Sequence, residues 1–153
     1  MAMEKCFICE KHNGMNDAAR FHIITTPLIS VYHMFPENGS VYLGHVFIET
    51  IRHIPSLAEL TIEESNEVGR FQMIISKVFK EFFDAEHIYS FVFGDGVPHL
   101  HIHLIPRYKG APEKFRGVKV DEWADAPHGN AEETIVFCNK VTEKIKEIGL
   151  KLS

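Results

Sequence analysis

Three histidines stand at alternate positions in the segment HLHIHLI, residues 99–105. Because side chains alternate between the two faces of a β-strand, the three imidazoles are expected on one face and the aliphatic side chains on the other. A buried imidazole needs partners for both ring nitrogens, and three adjacent imidazolium ions would repel one another. The pattern therefore predicts that a metal ion or a phosphate organises this histidine face, and it disfavours three solvent-exposed histidines.

A second chemical pattern is the pair Cys6 and Cys9, which are separated by two residues. In a reducing compartment this spacing is typical of metal or redox chemistry rather than of a structural disulfide. The chain has three cysteines in all, and the third, Cys138, is expected to be a core thiol inside a helix. The pair near the start of the chain is therefore a candidate metal or redox site.

The elements that must position these residues are predicted from hydrophobic periodicity. Strands are expected over residues 20–25, 28–34, 43–50, 88–93 and 100–105, where β-branched and aromatic residues lie between turn signals. Thr61 and Glu64 have the spacing of a capping box, and apolar residues then recur every three or four positions, which predicts a helix over about 62–83. A second helix is expected over about 131–149, after a long loop at 108–130.

The composition indicates one soluble globular domain, residues 1–153, with a core over 6–107. Of the 153 residues, 45% are hydrophobic and 24% are charged, and no repeat divides the chain. A formal net charge of −5 argues against attraction to nucleic acids or to anionic membranes. No apolar run approaches the roughly 18 residues of a membrane span, and the first nine residues lack the apolar segment of a signal peptide. We therefore expect a cytoplasmic protein without membrane or nucleic-acid partners.

The histidine segment resembles the signature of the histidine triad (HIT) family, which is H-x-H-x-H followed by two apolar residues. The segments GHVFI at 44–48 and RHI at 52–54 resemble the upstream strand of that family with its two histidines. The cysteine pair resembles the N-terminal metal pair of many bacterial and archaeal members. This resemblance covers residues 6–107 and implies an α+β fold, with a five-stranded antiparallel sheet, one long central helix and, usually, a homodimer.

The resemblance also implies chemistry at the α-phosphate of a nucleotide. It maps the nucleophile onto His101, which would attack the phosphorus and form a nucleotidyl-histidine intermediate. A neutral imidazole is a good nucleophile near pH 7, and neighbouring donors can stabilise charge on the phosphoryl oxygens. His103 would hold a non-bridging oxygen, and His45 would complete the donor set unless it faces solvent.

The sequence also contains candidates for further contacts with the substrate. Glu37 lies where family members commonly place an Asp that holds the ribose hydroxyls, although it is equally compatible with an ordinary turn. The loop before the triad lacks the Gly-Gln stretch of many relatives, so the backbone amides of Gly94 and Gly96 are candidate phosphate donors together with His99. Arg107 could reach the leaving phosphate, or it could form a surface ion pair.

Two thiolates and two imidazoles are a recurring ligand set of four-coordinate structural zinc. In zinc-bearing relatives, including the galactose-1-phosphate uridylyltransferases, the positions of His53 and His99 supply the nitrogens. The resemblance therefore implies a zinc site formed by Cys6, Cys9 and these two histidines. A metal-free dithiol and recruitment of His12 are the alternatives, and no organic cofactor is expected.

The sequence thus predicts a nucleotide hydrolase that cleaves a dinucleoside polyphosphate or a nucleoside phosphoramidate at the α-phosphate. A nucleotidyltransferase would use the same intermediate with another acceptor in place of water. A non-catalytic nucleotide-binding protein is an alternative from another class, and a hydrolase in which the triad holds a catalytic metal is a third. The nucleobase is left open, because Trp123 in the long loop could stack on a base or serve as a packing anchor.

Overall fold

A computed structural model of the chain describes residues 5–152. In chain order the helices and strands are α1 Phe7–His12, β1 His22–Thr25, β2 Ile29–His33, β3 Val41–Tyr42, β4 Val46–Thr50, α2 Ile62–Phe82, β5 Ala85–Phe91, β6 His101–Tyr108, β7 His128–Gly129 and α3 Ala131–Leu152. Short 3₁₀-helices occupy Asp17–Phe21, Leu57–Glu59, Glu113–Phe115 and Gly117–Glu122. No helix within residues 5–152 is both long and apolar enough to pass through a lipid bilayer.

Five strands form one antiparallel sheet in the order β1-β2-β4-β6-β5. The predicted α+β class with a five-stranded antiparallel sheet is confirmed. β4 and β6 are neighbours, and their register pairs Phe47 with His103 and Glu49 with His101. The upstream histidine strand therefore lies directly beside the triad strand.

One face of this sheet is apolar and packs against α2 and α3. The buried cluster includes Val31, Val46, Ile48, Ile75, Phe79, Ile102, Leu104, Val141 and Ile145. Cys138 of α3 is buried in the same cluster, as predicted for a core thiol, and burial raises its pKa to about 12. Because the aliphatic residues of β4 and β6 point into this core, their alternate residues face the opposite side.

The start of α2 has the predicted capping box. The Thr61 hydroxyl accepts a hydrogen bond from the Glu64 amide, and the Glu64 carboxylate accepts one from the Thr61 amide. Arg52 also donates to this carboxylate at 2.7 Å, and the contact lowers the pKa of Glu64 to about 2. The helix ends at Phe82, within one residue of the prediction, whereas α3 extends three residues beyond its predicted end.

The prediction of a continuous loop over 108–130 is wrong. This segment contains two of the 3₁₀-helices and β7, which pairs with β3 as a two-stranded sheet. The Tyr42 hydroxyl donates to the carbonyl of Pro106, and the Tyr108 hydroxyl donates to the carbonyl of Leu43. Trp123 packs on the small apolar cluster around these tyrosines, so the structure places it as a packing anchor.

The helix α1 was not predicted, because six residues are too few for a hydrophobic period to show. Cys6 precedes it as the N-cap residue, and its sulfur accepts a hydrogen bond from the Cys9 amide at 3.4 Å. One turn of helix thus brings the two thiols to the same side of the chain.

Candidate active site and metal centre

A cavity of about 190 Å³ opens on the polar face of the sheet, between α1 and the triad strand. Two triad histidines, His101 and His103, line it together with apolar and charged residues, which include Phe7, Ile8, Lys11, Phe35, Phe47, Glu49 and Val97. The cavity therefore joins two imidazoles to an aromatic, mostly apolar compartment.

The orientation of His101 is set by its own strand. Its Nδ1 lies 2.7 Å from the carbonyl oxygen of His99. Because a carbonyl oxygen can only accept, Nδ1 must carry the proton. In the neutral ring, Nε2 then keeps its lone pair, which is the state that a nucleophilic imidazole requires.

His103 and His45 form a second unit of the site. His45 Nε2 and His103 Nδ1 are 3.0 Å apart, and the Asp121 carboxylate lies 3.5 Å from His45 Nδ1. Burial, followed by the charges of His45 and His101, lowers the pKa of His103 to about 4. The neighbouring His45 imidazole lowers the pKa of the Asp121 carboxyl. Sequence reasoning missed Asp121, since it lies in the segment taken for a loop and belongs to no motif.

His33 supports the turn that leads into His45. The ring is 1% exposed, its Nδ1 donates to the Met34 carbonyl at 2.6 Å, and its Nε2 accepts from the Gly44 amide at 2.9 Å. Gly44 has a φ of +100°, and a Cβ there would lie 2.5 Å from Cγ of Pro106. Burial lowers the pKa of His33 to about 4, so both hydrogen bonds are made by a neutral ring at pH 7.

Four predicted metal ligands converge at the N-terminus of the domain. The donor atoms of Cys6, Cys9, His53 and His99 all lie within 4.8 Å of one another. The sulfur of Cys9 is 3.4 Å from His53 Nδ1 and 3.5 Å from His99 Nδ1, and the sulfur of Cys6 is 3.6 Å from His99 Nδ1. Tetrahedral zinc with Zn–S near 2.3 Å and Zn–N near 2.0 Å requires S···N separations of about 3.5 Å. The residues therefore fit a four-coordinate zinc ion.

The surroundings of this cluster agree with a bound cation. Burial, followed by the hydrogen bond and the charge of Cys6, raises the pKa of the Cys9 thiol to about 11, so a Cys9 thiolate here needs a positive partner. His99 is completely buried, and its Nε2 contacts the Thr50 carbonyl at 2.6 Å. A hydrogen bond of this kind fixes the ring of a metal-ligating histidine. With both nitrogens engaged, His99 faces the cluster and does not line the cavity.

Several predicted substrate contacts lie outside the cavity wall. Glu37 is exposed on its turn, and neither Gly94 nor Gly96 lines the cavity. Arg107 donates to the Tyr89 hydroxyl at 2.7 Å and lies 3.6 Å from Glu86, so its guanidinium is held at the edge strand. The structure brings together the triad, His45 and the metal ligands, but not these four residues.

A buried charged cluster in the cavity floor was missed altogether. The Lys11 ammonium lies 2.5 Å from Glu49 Oε2, and His12 Nε2 lies 3.0 Å from Glu49 Oε1. Lys11 is 4% exposed and Glu49 is 1% exposed. His12 therefore contacts Glu49 and is not part of the metal cluster. Before the fold is known, nothing in the sequence links residues 11 and 49.

The chain matches the model of a known protein family. The model of a HIT-like family described as "Protein similar to CwfJ C-terminal" matches residues 1–115. The chain belongs to this HIT-like family. The predicted histidine triad membership is therefore confirmed for this HIT-like chain.

Curated relatives match a shorter part of the HIT-like chain. A bis(5'-adenosyl)-triphosphatase from Dictyostelium discoideum is 38% identical over 72 residues, which are 43% of this chain and 48% of that protein. A protein of the same name from Saccharomyces cerevisiae is 36% identical over 72 residues, which are 43% of this chain and 35% of that protein. The match thus spans between about a third and a half of the length of these relatives.

Solved structures share the fold over nearly the whole HIT-like chain. A histidine triad nucleotide-binding protein from Sulfolobus tokodaii has a TM-score of 0.71 at 17% identity and covers 94% of this chain and 93% of its own. A Zn-bound histidine triad protein from Mycobacterium smegmatis has a TM-score of 0.69 at 15% identity, over 96% and 97% of the two chains. At these identities the likeness establishes the fold.

Proposed function

We propose that this protein is a nucleotide hydrolase that cleaves a dinucleoside polyphosphate or a nucleoside phosphoramidate at the α-phosphate. The observation that carries the proposal is the hydrogen bond from His101 Nδ1 to the His99 carbonyl, because it leaves the Nε2 lone pair available inside the cavity. The names of the curated relatives, which are dinucleoside triphosphatases, support the same substrate class.

In the proposed reaction, His101 Nε2 bonds to the α-phosphorus and the bond to the leaving group breaks. His103 donates a hydrogen bond to a non-bridging oxygen, and His45, held beside Asp121, donates to His103 Nδ1. A water molecule then bonds to the phosphorus and gives up a proton to the solvent, the P–N bond breaks with its electron pair returning to His101 Nε2, and a nucleoside monophosphate leaves.

We also propose that the Cys6, Cys9, His53 and His99 cluster holds a structural zinc ion. The tetrahedral fit of the donor atoms supports this assignment, and the zinc would join α1 to the residue that begins the triad. The metal would supply cross-linking and no step of the reaction. One zinc per chain by elemental analysis is the expected stoichiometry, and a purified, active protein without zinc would contradict it.

A single-domain homodimer in the cytoplasm stays a prediction. The dimer is supported by β5, which is an edge strand of the sheet, and by Val92 and Phe93, which follow β5 and are exposed. Edge strands are common pairing surfaces. Sedimentation velocity at micromolar concentration tests the dimer, and a single monomeric species would reject it.

The test of the hydrolase is intact-protein mass spectrometry and product analysis with diadenosine tetraphosphate and an adenosine phosphoramidate. The wild type is expected to release adenosine monophosphate or to carry it as an adduct, and His101→Asn is expected to lose at least about a thousandfold in rate. His87→Asn, an exposed histidine outside the cavity, is the matched control. Clear nucleotide binding by both the wild type and His101→Asn, without turnover or adduct, would favour the non-catalytic alternative.

A further inference from the structure

The floor of the cavity contains an ion pair that the proposed chemistry does not use. Lys11 and Glu49 both line the cavity, yet both are almost fully buried. The Lys11 ammonium also lies 4.6 Å from the ring centroid of Tyr32 and 5.4 Å from that of Phe47. The ammonium therefore lies among aromatic rings, at the wall of the cavity that His101 and His103 also line.

Stability alone gives little reason for such a pair. A buried ion pair gains little or nothing over well-packed apolar residues, because both charges lose their hydration. Apart from the histidines, the rest of the cavity lining is apolar or aromatic, as the side chains of Phe7, Ile8 and Phe35 show. A lysine and a glutamate in that wall thus point to recognition of polar groups on the ligand.

The free hydrogen-bonding capacity of the cluster is of the donor type. Both oxygens of Glu49 already have partners, one in Lys11 and one in His12. An ammonium carries three N–H groups, and within the described part of the chain the hydrogen bonds of Lys11 Nζ use one, toward Glu49. The remaining N–H groups require acceptors, which the aromatic rings replace only weakly.

A 6-oxopurine presents acceptors in the arrangement that this donor needs. Guanine and hypoxanthine have two neighbouring acceptors, O6 and N7, and lysine contacts to these atoms are a common basis of guanine recognition. Adenine carries an amino group in place of O6, which would set a donor against the ammonium.

We propose that Lys11, supported by Glu49, makes the cavity selective for nucleotides with a 6-oxopurine base. This inference rests on the proposed function, because it assumes that a nucleotide binds with its phosphate at His101 and its base toward α1. It assigns Lys11 as the residue that contacts the base and Glu49 as the residue that holds the ammonium in place.

The test is isothermal titration calorimetry of the zinc-loaded protein with guanosine, inosine and adenosine monophosphates. These ligands carry the base and the α-phosphate but have no bond for the enzyme to cleave as proposed. Guanosine and inosine monophosphates are expected to bind about tenfold more tightly than adenosine monophosphate. The 7-deaza analogue of guanosine monophosphate is expected to lose part of this advantage.

Variants separate base recognition from other roles of the lysine. The double variant Lys11→Met/Glu49→Ile removes both charges together, so that no unpaired charge is left buried, and thermal unfolding checks that it folds. It is expected to bind all three monophosphates with the affinity of the wild type for adenosine monophosphate. Lys77→Met, which removes an exposed lysine of α2, is expected to retain the tenfold preference.

The outcomes distinguish failure of this inference from failure of the proposed function. Equal affinity of the wild type for the three monophosphates would overturn the base selectivity but leave the nucleotide site in place. If the double variant lost affinity equally for all three ligands, Lys11 would contact the ribose or the phosphate and not the base. This result would also overturn the base selectivity. No binding of any monophosphate would refute the nucleotide site itself, and the selectivity with it.

Discussion

The buried ring of His33 predicts a loss of stability in mild acid. Its pKa is about 4 in the folded protein, against about 6.5 in the unfolded chain, so between these values the unfolded chain binds more protons. The free energy of unfolding must therefore fall as the pH is lowered through this window. From pH 7 to pH 5 the contribution of this one ring amounts to about 2 kcal/mol. Well below pH 4 the ring is protonated in both states, and its contribution no longer changes.

The perturbation that isolates this ring is His33→Gln. The glutamine oxygen can accept from the Gly44 amide as Nε2 does, but it does not titrate. Urea unfolding is followed by the fluorescence of Trp123 at pH 7 and pH 5, with zinc in excess. For each protein it gives the change in the free energy of unfolding between the two pH values. Between pH 7 and pH 5, the free energy of unfolding of the wild type is expected to fall by about 2 kcal/mol more than that of the variant.

The paired design removes the other titrating groups from the comparison. His103, whose pKa is also about 4, titrates in both proteins, so its contribution cancels in the difference. An equal loss in the wild type and in His33→Gln would refute the reasoning, since it would mean that the His33 ring is protonated without a penalty in the folded state.

Three further predictions concern the stability of the fold. Removal of the metal by a chelator is expected to lower the thermal midpoint by about 10 °C, and added zinc should restore it; an unchanged midpoint would reject the structural role. Gly44→Ala is expected to lower the free energy of unfolding in urea by about 3 kcal/mol, because the new methyl group would meet Pro106 and the residue has a positive φ. Gly39 also has a positive φ but has no neighbour within 4 Å of an added Cβ, so Gly39→Ala should cost less. Thr61→Ala is expected to cost about 1 kcal/mol through loss of the N-cap, and a cost no larger than that of an exposed serine-to-alanine change on α2 would contradict the cap.

Sequence periodicity predicted the elements that carry the core. The two long helices and the five strands of the main sheet have strong apolar repeats, so their existence followed from the spacing of residues such as Val68, Phe71 and Ile75. The elements that were missed, α1, β3 and β7, have two to six residues each. At that length no periodic signal can form, and tertiary contacts decide the conformation.

The site was predictable where the chemistry is local in sequence. His101 and His103 are two residues apart on one strand, and the cysteine spacing is met within one helical turn. Asp121 and the pair of Lys11 with Glu49 depend on contacts between distant segments. Their side chains look like ordinary surface residues until the fold buries them, so single-sequence reasoning had no means of finding them.

The two tyrosine hydrogen bonds and the β3–β7 pairing have a consequence for how this protein can be altered. The segment that carries Asp121 leaves β6 at Tyr108 and returns at His128, and both ends are fastened to residues 41–43. Such a segment can be altered at its exposed positions, provided that Val120 and Trp123, which pack on the cluster around the two tyrosines, are kept. Doubling its length would cost only about 0.6 kcal/mol of closure entropy. The residue beside His45 can therefore be exchanged, in evolution or by grafting, without rebuilding the sheet that holds the triad.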